Sequence, residues 1–246
     1  MYGIERQEKI LEILKEKKSC SVSHLAKELL FSEATIRRDL NVLSKEMKIQ
    51  KTFGGAVILE KYHSEIPNAV RAEKNFIAKD KIAKHAASLI EDNMTIFLAE
   101  STTVEHLLPY LLEHKGLTVI TNSVGIPSKL SASDINVFST GGRLLHQSNS
   151  YVGEFARKMI RGVNASLMFF SVRGLSDAGK LTTSSTDDDI MSTMMENSQK
   201  TCLMIDSSKF GNTYPFTLCS LNDIDTVVTD APLPAGLKHH HLIIAD

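Results

Sequence analysis

The sequence predicts a two-part protein: an all-α N-terminal head of winged helix-turn-helix type, and a C-terminal α/β body with a mostly parallel sheet. Three observations carry this. In the head, apolar residues recur at helical spacing in three successive segments, followed by a glycine pair between two β-prone runs. From residue 76 onward, short continuous apolar runs alternate with amphipathic segments, as strands buried on both faces alternate with helices. Charge divides the same way. Residues 1–61 carry twelve Lys or Arg against nine Asp or Glu, a balance of +3, and residues 62–246 carry sixteen against twenty, a balance of −4. A basic head on an acidic body points to an anionic partner at one end.

The head is built in order. Residues 4–17 place Ile10, Leu11, Ile13 and Leu14 among Glu and Lys, the spacing of an amphipathic helix. Ser19, Cys20 and Ser21 break it, and Ser23 is the expected N-cap of a second helix with Leu25, Ala26 and Leu29 inward. Ser32 is placed to cap a third helix, residues 33–47. At about 100° per residue, Ile36, Leu40 and Leu43 form its buried stripe, and Ala34, Arg38, Asn41 and Lys45 lie opposite, flanked by Thr35 and Arg37. Such a face suits a DNA major groove: Arg reads guanine, Asn reads adenine, and Lys or Thr holds phosphate. A merely solvated helix face looks the same, so this helix alone decides nothing. Asp39 is expected to steady the Arg37 guanidinium. Residues 49–53 and 56–59 around Gly54 and Gly55 read as a hairpin, the wing, with Lys51 facing phosphate.

The body follows a linker, residues 61–75. Residues 76–91 read as a helix, 94–98 as a strand, 102–114 as a helix and 117–121 as a strand. A helix through Leu130 and a strand over 135–139 come next, then strands at 165–172, 201–205, 226–229 and 242–245. Small polar residues gather after the strands: Glu100, Ser101, Thr102 and Thr103; Thr121, Asn122 and Ser123; Gly141, Gly142 and Arg143; and Lys209 in a Ser-Ser-Lys-Phe-Gly loop. Ligands of such sheets bind beyond the carboxyl ends of the strands, and a helix opening at Thr102 would offer free N–H groups to an anion. Each loop alone is as well explained by helix capping and chain reversal; four on one rim make a phosphosugar cradle.

Several of these motifs together resemble the DeoR-type bacterial transcriptional regulators. The residues that carry the resemblance are Ser32-Glu33-Ala34-Thr35-Ile36-Arg37-Arg38-Asp39-Leu40, then Gly54-Gly55-Ala56. They continue with Glu65, Pro67 and Arg71, Lys81-Ile82-Ala83, Thr121-Asn122-Ser123, Gly141-Gly142 and Asp206-Ser207-Ser208-Lys209-Phe210-Gly211. The resemblance implies a DNA-binding domain over 1–60 and an effector-binding domain over 76–246, the latter similar to the ribose-5-phosphate isomerase fold. It implies a repressor of carbohydrate-metabolism genes in the bacterial cytoplasm, bound to double-stranded operator DNA and released by a phosphorylated sugar, with no cofactor. The chain departs from the family where the first loop usually reads Asp-x-Gly-Thr-Thr. Here Ala99 replaces the aspartate and Ser101 the glycine, and Glu100 is one residue out of phase. Arg173 stands where an acidic residue commonly precedes Gly174. It is expected either to favour a second anionic group, and so an altered effector, or to pair with Asp177 or the acidic run at 187–189.

The remaining features point away from other classes. A normal apolar fraction of 42% and a net charge of −1 over 246 residues exclude a disordered chain. The apolar runs at 95–99 and 167–172 are far too short to cross a bilayer, and Glu5, Arg6, Glu8 and Lys9 interrupt any secretory pattern. Cys20, Cys202 and Cys219 are odd in number and widely spaced, against a disulfide scaffold or a zinc ribbon and in keeping with a reducing cytoplasm. His239, His240 and His241 cannot all face one metal ion from a strand, so a turn is expected there and no metal site. The methionines of the helix holding Met191, Met194 and Met195 read as core filler. An isomerase-like enzyme using Lys209 and a carboxylate is the competing reading, weakened by Ala99 and by the DNA-reading head. A single recognition helix covers few base pairs, so a homodimer or homotetramer is expected.

Overall fold

One face of α1 (Gly3–Lys17) turns Ile10, Ile13 and Leu14 inward because they recur at helical spacing, and the head packs around them. A computed structural model describes residues 3–17, 19–45, 49–52, 54–58, 68–184 and 189–246. Contacts divide the chain into two compact units, Met1–Ser64 and Glu65–Asp246.

In the first unit, β1 (Ser19–Ser21) follows α1, so the polar triplet is a strand and not only a break. The N-cap of α2 (Val22–Leu29) is therefore Ser21, two residues before the expected Ser23; its Oγ accepts from the N–H of His24 at 3.2 Å. Leu30 closes α2 in the left-handed region, φ 58°, and is 89% exposed. Ser32 caps α3 (Glu33–Lys45) as expected, accepting from the N–H of Thr35 at 3.2 Å. Ile36, Leu40 and Leu43 join Val22, Leu25 and the α1 residues in one core. β2 (Ile49–Thr52) and β3 (Gly55–Ile58) form the hairpin, and β1 adds to β3 antiparallel. That pairing explains Gly55, where a Cβ would stand 2.4 Å from the Cys20 carbonyl oxygen. The expected strand ends Phe53 and Leu59, and the end of the third helix at residues 46–47, lie outside the described residues.

The second unit opens with α4 (Asn68–Glu73) and α5 (Phe76–Ala87), which leads to β4 (Thr95–Leu98). Residues 68–73, expected as linker, are thus helical, and residues 61–67 lie outside the described ones. A 3₁₀ turn (Val104–Leu107) and α6 (Leu108–Leu111) connect to β5 (Thr118–Thr121). This corrects the single helix expected over 102–114. Pro109 lacks the N–H that a continuous helix would need at that point. Then come α7 (Gly125–Leu130) and β6 (Asn136–Ser139). Next are the hairpin strands β7 (Arg143–Leu145) and β8 (Ser150–Val152), then α8 (Glu154–Arg161) and β9 (Leu167–Phe170). Beyond it lie β10 (Gly174–Leu175), β11 (Lys180–Thr183), α9 (Asp189–Glu196) and β12 (Thr201–Ile205). The chain ends with β13 (Phe216–Ser220), β14 (Thr226–Thr229) and β15 (Leu242–Ile244).

Among the described residues the main sheet runs β15-β14-β12-β9-β4-β5-β6, and every neighbouring pair is parallel. Its inner strands are apolar on both faces, as both faces are covered, whereas the edge strand β6 is largely exposed. Ile96, Leu98, Val119 and Phe169 pack with Ile82, Ala86, Leu111 and Ile126 from α5–α7. Phe97, Ile120, Met168, Phe170 and Leu203 pack on the other side with Ala156 and Ile160 of α8 and Ile190 and Met194 of α9. A smaller antiparallel sheet, β10-β11-β13, and the β7-β8 pair complete the unit. From β4 the chain winds outward through β5 to β6, then returns with β9 to the opposite side of β4 and winds the other way. The strand order therefore reverses between β4 and β9, where a crevice opens beyond the carboxyl ends.

Candidate functional site

The head presents one polar face. Ser32, Ala34, Arg37, Arg38 and Asn41 are exposed along α3, and Thr35 is half-buried with its hydroxyl 2.9 Å from Ser32 Oγ. Arg37 donates to Glu33 Oε2 one turn earlier at 3.2 Å. Lys51 of the wing donates to Asn41 Oδ1 at 2.6 Å, so wing and helix meet through a side-chain bond. The side chain of Lys45 lies outside the described residues. Asp39 departs from expectation. It is 3% exposed and accepts from Arg6 Nε at 2.6 Å, Arg6 Nη2 at 3.2 Å and Gln7 Nε2 at 3.2 Å; it does not hold Arg37. Its position on α3 lies about 60° from Ile36, beside the buried stripe rather than the open face. The Arg6 guanidinium also stacks over the Phe31 ring, 4.7 Å from its centroid. Arg6 thus ties α1 to α3 and to the turn before it, a role that helical periodicity alone does not reveal.

In the body, a crevice forms where the strand order reverses. Glu100 and Ser101 follow β4, Asn122 follows β5, Ser171 and Arg173 follow β9, and Lys209 lies in the loop after β12. The expected residues Glu100, Ser101, Asn122, Arg173 and Lys209 are therefore brought together. Thr102, Thr103, Thr121 and Ser123 are buried and do not line the crevice. Thr103 N–H donates to Ser101 Oγ, Thr121 Oγ1 donates to the Leu98 carbonyl, and Ser123 N–H donates to Thr121 Oγ1. With the short 3₁₀ turn in place of a helix opening at Thr102, the Ser101 side chain occupies a donor that an anion was expected to use.

Gly141, Gly142 and Arg143 lie outside the lining. They start the β7-β8 hairpin: Gly142 has φ 116°, and a Cβ there would stand 2.7 Å from the Val152 carbonyl oxygen. Gly142 is thus a packing requirement, whereas Gly141, with open space where a Cβ would stand, serves only its φ of 61°. The hairpin itself contributes Ser148 and Ser150, which the sequence reading missed because no apolar period marks a short, half-exposed hairpin. Arg71, also missed, enters the crevice from α4.

The electrostatics favour an anion. Lys209 Nζ donates to Ser171 Oγ at 2.8 Å and to Thr103 Oγ1 at 3.4 Å, and lies 3.5 Å from Asp206 Oδ2. Burial pushes this ammonium down to about 8 against the opposing pull of Asp206. Burial likewise lowers Lys79, which is 3% exposed and donates to Thr102 Oγ1 at 3.1 Å and to the Arg71 carbonyl. Burial would raise Asp206, but Lys209, the bonds from Ser208 and Asn75, and Lys79 outweigh it and hold the carboxyl below its ordinary value. Arg71, Arg173 and Lys209 thus line the crevice with Glu100 of opposite charge, while Lys79, bonded to Thr102, and Asp206, beside Lys209, stand behind the lining. Lys209 is held at a desolvation penalty that an entering anion would offset.

Other expected features settle elsewhere. His239 Nε2 lies 2.8 Å from the Ile224 carbonyl and His241 Nδ1 2.9 Å from Thr226 Oγ1, so these rings pin the turn into β15. Asp187 and Asp188 lie outside the described residues, and Asp189, at the start of α9, pairs with Arg157 at 2.7 Å. Cys202 is fully buried and burial raises its thiol pKa, so it is not poised as a nucleophile. No helix among the described residues is long and apolar enough to cross a membrane.

Ribose 5-phosphate isomerase A of Methanocaldococcus jannaschii overlaps 56% of this chain and 55% of its own, with a TM-score of 0.42 and 16% identity. The uncharacterized HTH-type transcriptional regulator YulB of Bacillus subtilis is 38% identical over 97% of this chain and 93% of its own length. The lactose phosphotransferase system repressor of Staphylococcus aureus is 31% identical over 92% of this chain and 91% of its own. Residues 6–62 match the DeoR-like helix-turn-helix domain and residues 74–231 the DeoR C-terminal sensor domain, and the chain therefore belongs to the DeoR family.

Proposed function

We propose that the protein is a sequence-specific repressor of carbohydrate-metabolism genes, released from operator DNA by an intracellular phosphorylated sugar. The observation that carries this reading is the convergence of Arg71, Arg173 and Lys209 at the reversal of strand order, in a chain whose other unit exposes a helix-and-wing polar face. Repression and the carbohydrate setting come from the relative named lactose phosphotransferase system repressor. In the head, Arg38 and Asn41 read base edges, with Ala34 and Thr35 close to the groove floor; Ser32, Arg37, Lys45 and Lys51 hold the phosphate backbone. In the body, Lys209 and Arg173 hold the anionic group, while Ser101 and Asn122 bond sugar hydroxyls. Glu100, beside Arg71, sets which hydroxyls fit. Thr102, Thr103, Thr121 and Ser123 support these loops from below. Gly141, Gly142 and Arg143 act on the site only through their hairpin.

The body acts as a sensor and not as an isomerase, and the functional protein is a homodimer or homotetramer that presents paired recognition helices. The test is binding of the purified protein to labelled DNA from its own upstream region, with and without pooled sugar phosphates. Specific binding that the pool releases supports the reading. Binding unaffected by every sugar phosphate, or turnover of one of them, overturns it. An altered effector is also part of the proposal: Arg173→Ala weakens ligand binding if Arg173 holds a second anionic group, and unchanged affinity for a simple monophosphate removes that element.

A further inference from the structure

We infer that Asn68, Glu100 and Arg71 form a latch that an anionic ligand opens, and that this latch is how occupancy of the crevice is passed to the chain segment leading to the head. This deepens the sensing role proposed above and rests on it.

The helix α4 spans six residues, too few to be stable by itself. None of its described side chains belongs to either core of the body, and Val70 is 45% exposed. Polar contacts hold it instead. Asn68 Nδ2 donates to Glu100 Oε1 at 2.8 Å and to the Ser148 carbonyl at 3.1 Å. Arg71 Nη2 donates to the same Glu100 oxygen at 3.3 Å, and Lys79 donates to the Arg71 carbonyl. The Glu100 carboxylate is therefore the hub that ties both ends of α4 to the loop after β4. Its side chain is 9% exposed, that of Arg71 is 15% exposed, and both line the crevice.

A phosphate entering among Arg71, Arg173 and Lys209 carries the same charge as Glu100 and competes with it for Arg71. Like charges in a poorly solvated site repel, so ligand and latched carboxylate do not share the guanidinium at full strength. The ligand thus binds the unlatched arrangement more tightly, which is the differential affinity that coupling requires. In sequence, α4 is the first described element after β3, the last strand of the head, and nine residues separate them. Releasing α4 changes where that connection begins.

Asn68 lies outside the crevice lining, so Asn68→Ala loosens the latch and leaves the lining intact. In the whole chain, Asn68→Ala is expected to bind sugar phosphate more tightly by calorimetry and operator DNA without ligand more weakly, each by up to about tenfold, so that the loss of operator affinity on adding sugar phosphate shrinks by about tenfold. Full ligand-driven release in Asn68→Ala overturns the latch. A second readout needs no ligand response: amide hydrogen exchange across residues 68–73 is expected to rise in Asn68→Ala and in the shape-preserving Glu100→Gln. Unchanged exchange in both variants overturns the latch as well. A wild-type protein that binds its operator but ignores all sugar phosphates refutes the sensing role instead, and the exchange experiment then decides the latch alone.

Discussion

The head and the body offer cations in opposite ways. In the head, Arg37, Arg38 and Lys51 stand exposed on a surface carried by a small core, and Arg37 and Lys51 bond to Glu33 and Asn41 through their side chains. In the body, Lys79 and Lys209 are sunk beyond the strand ends, with pKa values lowered by burial. Exposed cations meet a large polyanion by releasing its counterions, so their grip fades with salt. Buried cations are already stripped of water and respond to the shape and charge of one small anion more than to ionic strength. One chain thus holds a salt-sensitive surface and a salt-tolerant pocket.

That contrast can be broken by substitution. The largest expected effect is in the body: Lys209→Ala removes a buried donor and leaves Asp206 with less compensation, and affinity for sugar phosphate by calorimetry falls about a hundredfold. Next is Arg38→Ala, expected to weaken operator binding about tenfold or more and non-specific binding much less. Lys51→Ala is expected to weaken both only a few-fold and to reduce the salt slope by about one phosphate contact. Equal operator losses for the two, with specificity kept, would exchange their roles.

The pH response sharpens the same contrast. Lys209 is depressed to about 8 from an ordinary 10.5, so its charge is lost as pH rises through about 8. Ligand affinity is expected to drop about tenfold between about pH 7 and about pH 9, while the exposed Arg residues keep operator binding nearly level. The stability linkage has the opposite sign. Between about 8 and 10.5 the unfolded chain holds the proton that the folded chain has lost, so this group makes stability rise with pH across that window. Thermal melts of wild type and Lys209→Met over that range check the sign. The smallest expected effect is in the head: Leu30→Gly relieves the left-handed φ of 58° and raises stability by about 1 kcal/mol, read from denaturant titration.

How much the sequence reveals also differs between the two regions. In the head, Ile36, Leu40 and Leu43 set the inward face of α3, and the exposed face proposed to meet DNA follows from the same period. What escaped was lateral: Asp39 bonds to Arg6, thirty-three residues away, where local reasoning offers Arg37. In the body, the alternation of apolar runs and helices yields the parallel sheet and the rim where loops collect. It does not say which loops converge, because Arg71, Glu100, Ser171 and Lys209 meet only through strand order. Ser148 and Ser150 ride on a hairpin of three-residue strands, too short for any period to register. The glycine pair at 141–142 misled for a related reason: its motif is equally the mark of an anion loop and of a tight hairpin, and only the approach to Val152 separates them.

The bond from Lys79 to Arg71 ends on a main-chain oxygen, not on the guanidinium. Any residue at position 71 presents that same oxygen. The anchoring of α4 by Lys79 is therefore indifferent to the side chain that lines the crevice, and position 71 is free to drift in size, charge and reach without that anchor being lost. One of the two attachments of α4 is thus separable from crevice chemistry, while the other, through Glu100, still depends on the Arg71 side chain. For anyone building a reporter for a new metabolite, position 71 is a place to diversify while Lys79 is kept.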